Sequence, residues 1–532
     1  MVRKSWIPFL SLCALILYVL LAAANLYWGD LNQDEGWYLY AARQVHEGKL
    51  PYRDFAFTQG PMLPLVYSLA QPLVARFGVG GGRLFSALLG LAGAAMAGWL
   101  AARSVSAPWK RTAALLAFIL IAGSVYQSYF TTVVKTYALC ALFLTGGMLA
   151  LGFARAKHGV AACFISGILL ALATGTRHSA GMALPVVFIY LVSQRKTLHA
   201  DHWFAFGFGG ALGLGAISLP FLFMAPDGFL FGMVQYHASR AAGGVTSGLV
   251  YKAGFISRLV QAFFLPACLL AAVVILKQLK PAPAADVPAG EAPYRFNGLI
   301  WAVVLAISLV HFSAPFPYED YEVIVYPIFA AALASALIRL VVGICSTEAH
   351  ASDRWMLWLL VTVFVISVAS AFSSPINQSW VLLGRDRIWW KLKKESSLRQ
   401  LRDVGRWIRQ QSGSSRVLLT QDAYLAVETG QAMPPGMDMG PFSYFPDMDR
   451  KQAEKIHVLN REMMLELLEK TDAQIAALSG YALAIRSPAI SPLSDGEQKE
   501  LRDIVNRRYE EIRDVADFGQ AATTLKILRR KP

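Results

Sequence analysis

Charged residues are scarce in this chain. Of its 532 residues, 16% are Asp, Glu, Lys or Arg and 55% are hydrophobic, whereas about a quarter of a typical soluble globular protein is charged. The mean hydropathy is +0.44. The shortage is also uneven, because roughly half of all charged residues lie beyond Phe372. This composition excludes a cytosolic enzyme, a secreted disulfide scaffold and a disordered chain, and it predicts a multi-span membrane protein with a soluble tail.

Cysteine is rare as well. The cysteines are Cys13, Cys140, Cys163, Cys268 and Cys345, and their spacing matches neither a metal site nor a disulfide framework. The net charge of +14 does not indicate nucleic-acid binding, since no helix-turn-helix, zinc-finger or RNA-binding signature is present. A membrane protein instead collects Lys and Arg in its short cytoplasmic loops.

Apolar runs separated by charged or turn-forming breaks predict eleven membrane spans. They cover residues 6–28, 84–102, 113–130, 137–154, 160–174, 180–192, 203–224, 259–276, 299–312, 323–341 and 355–372. The first run resembles a signal peptide at its Ala-Ala-Ala sequence, residues 22–24, but its length and its terminal aromatic residues favour a retained span. The shorter run 62–77 is interrupted by two prolines and a glutamine, which favours an interfacial helix over a twelfth span.

Lys and Arg alternate between the predicted loops in a way that sets the orientation. Every second loop carries them, at residues 103–111, 155–157, 195–196, 277–280 and 339–354. The positive-inside rule therefore places these loops in the cytoplasm. The longer segments 29–82 and 225–258 and the tail would then lie outside.

The predicted fold class is an α-helical polytopic membrane protein with a C-terminal extracytoplasmic α/β domain. Residues 1–372 form the transmembrane domain, including the outer loop 29–82, and the basic, tryptophan-rich stretch 373–395 is an interfacial linker. In residues 396–532, helices are expected near 398–411, 450–470 and 495–508. Strands are expected at 416–420 and 474–478, followed by a hairpin over 509–528. We expect this domain to cap an outer cavity through the loop 433–445.

The outer loop carries the motifs that indicate chemistry. Asp34 and Glu35 lie in the sequence NQDEGWY at residues 32–38, and apolar residues recur behind them at helical spacing. This pattern predicts an amphipathic helix that lies flat on the membrane surface. An isolated Asp-Glu pair beside a span is ordinarily an interface polar group, so the meaning of this pair depends on the motifs that follow it.

Those motifs follow in a characteristic order: Gly48, PYRDF at 51–55, GP at 60–61, Gly78 and Arg83, then KTYA at 135–138 and YEVIVYP at 321–327. Together they resemble the GT-C superfamily of membrane glycosyltransferases, in particular the group of protein O-mannosyltransferases and aminoarabinose transferases and their bacterial envelope-glycan relatives. The resemblance implies an inverting enzyme at the inner membrane. Such an enzyme moves a sugar from a polyprenyl phosphate donor to an acceptor hydroxyl on a lipid such as lipopolysaccharide, a glycan or a protein outside the cytoplasm.

The resemblance also implies catalytic roles. Asp34 is the expected base, Glu35 its helper or structural partner, and Asp54 a second carboxylate that would orient Arg53, the acceptor or a metal. An alcohol is a weak nucleophile, so a carboxylate within hydrogen-bond reach has to remove its proton during attack. The leaving phosphate needs no strong general acid, but its growing charge needs cations.

Further residues are expected to bind the substrates. Cations on the predicted outer side would hold the donor phosphate, and the alternative for each is a snorkelling contact with lipid headgroups; they are Lys135, Arg177, His178 and Arg240. Substrate contacts are expected from Tyr52, Arg53, Tyr137, Tyr318 and Tyr321. The acids beside Tyr318 would alternatively cap a helix N-terminus.

No cofactor follows from the sequence with certainty. Two or three carboxylates would suffice for Mg²⁺ or Mn²⁺, although the related branch commonly works without a catalytic metal. The expected partners are the lipid-linked donor, the envelope acceptor and the membrane, with no nucleic acid. A transporter or flippase is the alternative function, and a non-catalytic assembly subunit is a third; the lack of an inverted repeat and of acids within the spans favours the enzyme.

Overall fold

The computed structural model describes residues 6–239, 245–279, 292–344, 349–373, 395–481, 483, 493–520 and 522–532. Helices make up its membrane region; they are Trp6–Trp28, Val79–Arg103, Lys110–Ala122, Val125–Thr132, Thr136–Leu151, Gly159–Thr176, Ala183–Ser193, Ala200–Met224, Val245–Ala262, Phe264–Leu279, Ala292–Ser313, Tyr326–Ile344 and Ala349–Ser373. Among the described residues, seven helices are long and apolar enough to cross a membrane, or up to nine if each of two bent pairs is one span. The chain is thus a polytopic helical membrane protein, as predicted, while the number eleven stays a prediction.

Both bent pairs have a local cause. The sequence predicts one straight span over 259–276, whereas the structure breaks the helix at Phe263 and bends it by 93°. Pro266 lacks a backbone N–H and its ring clashes with the carbonyl four residues earlier, so the upstream helix ends at Ala262. The other pair bends by 74°, where Ser124 Oγ accepts a hydrogen bond from the amide of Gln127 and starts a new helix.

The outer loop folds into short helices. They are Gln33–His46, Met62–Tyr67 and Gln71–Phe77, with a 3₁₀ turn at Ser68–Ala70. The interfacial helix predicted over 62–77 is thus divided into three short pieces, and its position at the membrane surface stays a prediction. Short helical turns also lie at the end of the bundle that carries this loop; they are His178–Met182, Pro226–Leu230, Phe231–Gln235, Tyr236–Ala238 and Glu319–Ile324.

The C-terminal part is a small α/β domain. Its helices are Ser397–Gln411, Ala423–Thr429, Arg450–Lys455, Arg461–Lys470 and Asp495–Arg508, with a 3₁₀ turn at Gly440–Phe442; its strands are β1 (Leu418–Thr420), β2 (Ile475–Leu478), β3 (Tyr509–Phe518) and β4 (Thr523–Arg530). The sheet order is β1-β2-β4-β3, parallel only between β1 and β2. The helix predicted over 450–470 is divided, because Asn460 caps a second helix by accepting from the amide of Met463 at 2.9 Å.

This domain shares a hydrophobic core with the outer loop. Trp37 and Leu39 from the loop belong to the same buried cluster as Leu401 and Leu418 from the domain, while the transmembrane helices form a cluster of their own. The loop helix approaches the domain helix at Gly36, where a Cβ would stand 2.4 Å from the amide nitrogen of Tyr424. The domain therefore rests directly on the helix that carries Asp34. Most of the predicted linker 373–395 lies outside the described residues.

Candidate active site

A capping box fixes the start of the helix that carries the acidic pair. Asn32 accepts a hydrogen bond from the amide of Asp34 at 3.0 Å and donates its own amide to Glu35 Oε1 at 2.9 Å. Each side chain thus satisfies a backbone group that the first helical turn leaves unpaired. Consecutive helical residues point about 100° apart, so the two carboxylates face different surroundings.

Glu35 faces the protein interior. Its carboxylate forms two hydrogen bonds with Arg83, at 2.6 and 2.9 Å, and both side chains are completely buried. The same guanidinium donates to the carbonyls of Leu26, Gly29 and Asp30. A buried ion pair with all its donors satisfied holds its neighbours in one geometry. The pair therefore joins the end of the first span, the outer-loop helix and the second long helix, Val79–Arg103.

Asp34 faces a cavity. Its Oδ2 lies 3.4 Å from Lys135 Nζ, its Oδ1 accepts from Trp37 Nε1 at 3.4 Å, and its side chain is 24% exposed. Lys135 Nζ also lies 3.1 Å from Asp320 Oδ2, which accepts from the Tyr137 hydroxyl at 2.8 Å. One ammonium group thus bridges two carboxylates that lie far apart in the sequence.

Arg177 stands beside this bridge. Its guanidinium carbon lies 4.2 Å from the ring centre of Tyr321 and 5.0 Å from that of Tyr137, and it donates to Thr136 Oγ1 at 3.3 Å. Burial alone would raise the pKa of Asp320, but Lys135, the Tyr137 hydroxyl and Arg177 outweigh burial and hold that pKa below its usual value. Asp320 is therefore a carboxylate at neutral pH.

These groups line a cavity of about 600 Å³. Other residues lining it come from the turn His178–Met182, the segment Phe231–Gln235, the 3₁₀ turn Glu319–Ile324 and two parts of the C-terminal domain, represented by Phe442 and Gln520. Gln520 accepts from the amide of Gln33 at 2.9 Å. Phe442 lies within the loop 433–445 that the sequence analysis expects to contact an outer cavity.

The overall architecture matches solved structures. No family model matches the sequence, and no curated protein matches it either. ArnT from Cupriavidus metallidurans bound to undecaprenyl phosphate aligns with a TM-score of 0.61 over 99% of this chain and 98% of that chain, at 15% identity. The oligosaccharyltransferase from Archaeoglobus fulgidus aligns with a TM-score of 0.52 over 96% and 73%, at 12% identity. This chain has the GT-C fold. The fold resemblance inferred from the motifs is thereby confirmed.

Within the GT-C fold, some residues predicted to act together are separated. The cavity is lined by Asp34, Lys135, Tyr137, Arg177, His178, Tyr318 and Tyr321. Tyr52 is buried away from it, with its hydroxyl bonded to the Gln59 carbonyl. Arg53 and Asp54 pair with each other at 2.8 Å on an exposed turn and are not among the lining residues. Arg240 lies outside the described residues.

Several residues that line the cavity were not predicted as site residues from the sequence. Asp320 is the most central of them, and its only signal was its place between two predicted substrate tyrosines. Ser179 and His311, which are hydrogen-bonded to each other at 2.8 Å, gave no signal because 132 positions separate them. His237 also lines the cavity; its Nε2 is 2.9 Å from the Thr58 carbonyl oxygen, and its ring faces His178.

The carboxylates of the cavity do not fit a divalent cation. The ammonium group of Lys135 occupies the position between Asp34 and Asp320 where a bridging metal ion would balance their charges. Among the described residues, no group of three or more His, Cys, Asp or Glu side chains is arranged to hold a metal. Asp34 and Asp320 are instead accompanied in the cavity by two cations, Lys135 and Arg177.

Proposed function

We propose that the protein is an inverting glycosyltransferase that moves a sugar from a polyprenyl phosphate donor to an acceptor hydroxyl on an envelope lipid, glycan or protein. The observation that carries the proposal is the single cavity in which Asp34, Lys135 and Arg177 meet. The GT-C fold supports it, since ArnT was solved with undecaprenyl phosphate and the archaeal oligosaccharyltransferase with a tethered acceptor peptide.

Asp34 is the proposed base. Its carboxylate reaches the cavity and is held only at 3.4 Å on either side, by Lys135 and Trp37, so an acceptor hydroxyl can compete for it. During attack the acceptor oxygen bonds to the anomeric carbon, its proton passes to Asp34, and the bond from that carbon to the phosphate oxygen breaks. The phosphate leaves with the bonding electrons. Attack from the face opposite the phosphate inverts the anomeric carbon.

Lys135 and Arg177 are the proposed phosphate ligands, with the exposed His178 beside them. A cation about 4 Å from a phosphate in a partly buried site contributes on the order of 4 kcal/mol. If about 3 kcal/mol of that arises only as the second negative charge develops, the rate gain exceeds a hundredfold. Tyr137, Tyr318 and Tyr321 are left to contact the sugar. Glu35 then serves as the structural partner of Asp34, since Arg83 occupies its carboxylate.

The proposed placement in the cell follows from charge. Lys110 and Arg111 lie exposed at the end of the bundle where the positive-inside rule expects cytoplasm. The cavity, the outer loop 29–82 and the domain 396–532 would then lie outside the inner membrane, with the domain covering the cavity through Phe442 and Gln520. We propose the reaction without a resident Mg²⁺ or Mn²⁺, because Lys135 supplies the bridging charge.

Asp34→Asn tests the proposal. The amide is nearly isosteric but cannot accept the proton, so we expect sugar transfer to fall roughly a hundred- to ten-thousandfold while binding of the lipid donor persists. Mass spectrometry of envelope lipids and glycans, followed by an assay with purified enzyme, would measure both. Asp227→Asn, at a residue 63% exposed, is the matched control.

Two outcomes would contradict the proposal. Unchanged transfer by Asp34→Asn would remove Asp34 as the base. Movement of a labelled polyprenyl phosphate across proteoliposomes without any acceptor, equal in wild type and variant, would favour the flippase instead.

A further inference from the structure

A second hydrogen-bonded chain of side chains reaches the cavity through Ser179 and His311. His311 Nε2 lies 2.8 Å from Ser179 Oγ, and His311 Nδ1 lies 2.9 Å from Glu322 Oε1. The other oxygen of Glu322 accepts from Ser308 Oγ at 2.6 Å. Glu322 and His311 are buried, whereas Ser179 and one edge of His311 line the cavity.

This arrangement lets the charge of His311 decide what Ser179 offers to the cavity. When the imidazole is neutral and its Nδ1–H donates to Glu322, its Nε2 accepts a hydrogen bond from the Ser179 hydroxyl. Ser179 then presents only oxygen lone pairs to the cavity. When the imidazole is protonated, Nε2 donates to Ser179, and the serine proton is free to point into the cavity. Glu322 stabilises the protonated state through a charge-assisted hydrogen bond.

Resting on the proposed function, we infer that His311 is a positioning residue that becomes protonated when the phosphate monoester left by the transfer occupies the cavity, so that Ser179 donates a hydrogen bond to that phosphate. Ser179 is two residues from Arg177 on the same turn, and both line the cavity with Lys135. Glycosyl transfer converts a singly charged phosphate diester into a monoester that carries nearly two charges at pH 7. Protonated His311 adds a third positive charge beside those of Lys135 and Arg177, which compensates the added negative charge. Ser179 connects that positive charge to the phosphate by a hydrogen bond.

Other charged groups surround the chain. The turn of Ser179 also carries Arg177 and His178; the turn of Glu322 also carries Glu319, Asp320 and Tyr321; and Lys252 donates to the backbone carbonyls of Phe312 and Ala314, on the C-terminal side of His311. Of these, only His178 titrates near neutral pH by type. It is exposed and contacts Met233 Sδ at 3.3 Å, and its ring faces that of His237, which also lines the cavity. These two histidines are the rival sources of any pH effect.

Product binding measured against pH tests the inference. In this inference the monoester binds together with one proton, so the affinity of the wild type for undecaprenyl phosphate should fall by up to tenfold for each unit of rising pH. The methyl ester of the same lipid keeps a single charge at every pH and should show a flat profile. Both affinities can be measured in nanodiscs without any turnover.

Variants show which residue causes the pH dependence of product binding. His311→Gln and Ser179→Ala should flatten the monoester profile, and His158→Gln, at an exposed residue near the other end of the bundle, should keep the wild-type slope. Loss of the slope in His178→Gln with retention in His311→Gln would overturn the inference, as would a slope that survives Ser179→Ala. If His311→Gln does not fold, Ser179→Ala decides alone. If the wild type does not transfer sugar, the proposed function is wrong. The pH dependence of product binding can still be measured, because it needs no turnover.

Discussion

Two buried carboxylates, one in the cavity and one in the C-terminal domain, differ in how their charge is compensated. Asp320 lies beside Lys135 and Arg177, which lower its pKa despite burial. Asp422 accepts from the Tyr424 hydroxyl at 2.6 Å, and the groups acting on it are hydroxyls and an amide. Burial therefore raises the pKa of Asp422 to about 6, because hydrogen bonds from Tyr424 and Ser479 only partly offset it.

The difference shows where the fold maintains charge. Burial penalises the ionised form of both carboxylates, but the ammonium group of Lys135 lies 3.1 Å from Asp320, whereas hydroxyls and an amide act on Asp422. Lys135 and Arg177 thus keep Asp320 ionised at neutral pH although it is buried. Asp422 in the C-terminal domain has hydrogen bonds but no cation among the groups that lower its pKa, so this carboxyl group becomes protonated in mild acid.

Lys135→Met, which removes the cation beside Asp320, should produce the largest effect on activity. It leaves Asp34 and Asp320 without their shared cation, so the pKa of Asp320 should rise, and removing one partner of a buried pair costs about 3–5 kcal/mol. We expect loss of transfer by more than a hundredfold together with weaker donor binding. Donor affinity and turnover of purified enzyme would check this.

Lys110→Met is the control for that variant. Lys110 is exposed at the other end of the bundle, so the same change in side chain should leave turnover within about twofold. Equal losses in the two variants would mean that the position of the cation in the cavity is irrelevant, which contradicts its proposed role.

Asp422→Asn should produce a smaller effect that depends on pH. Because the folded-state pKa of Asp422 lies above its unfolded value of about 4, the folded state binds the proton more tightly, and stability falls as pH rises from about 4 to 6. The full penalty above pH 6 is roughly 3 kcal/mol. The variant should therefore raise the melting temperature at pH 8 and leave it nearly unchanged at pH 4.

The melt can be followed by intrinsic fluorescence in detergent, with Asp403→Asn at an exposed residue as the control. A variant that lowers the melting temperature at pH 8 would show that the ionised carboxylate stabilises the domain, and the comparison with Asp320 would fail.

Much of the fold could be predicted from local patterns. The helices Trp6–Trp28 and Asp495–Arg508 appear with the predicted bounds, because an apolar run ending in aromatic residues and a capping box at Ser494 are signals contained in the segments themselves. The bend at Phe263 was also encoded locally, by Pro266. The helix Ala423–Thr429 was missed, since its seven residues are all in contact with other elements and carry no amphipathic period.

The site was predictable only in part. Asp34 and Lys135 could be singled out from motifs, but 185 positions separate Lys135 from Asp320, and no local pattern reports such a contact. Without the motif resemblance, the local pattern does not tell which of the adjacent acids faces the cavity, because that depends on the angle at which the helix Gln33–His46 leaves the first span. Arg83 fixes that angle by binding Glu35.

Asp54→Asn should produce the smallest effect and is the sharpest test of what the motif resemblance adds to the geometry. Asp54 binds Arg53 and the amide of Leu50 at 2.7 Å on a turn where its side chain is 29% exposed. The hydrogen bond from Arg53 lowers the pKa of Asp54, but exposed ion pairs contribute only about 0–1 kcal/mol to stability. Turnover should stay within about threefold of wild type. A loss as deep as that of Asp34→Asn would instead mean that this turn enters the cavity when substrate binds, and that Asp54 belongs to the catalytic groups.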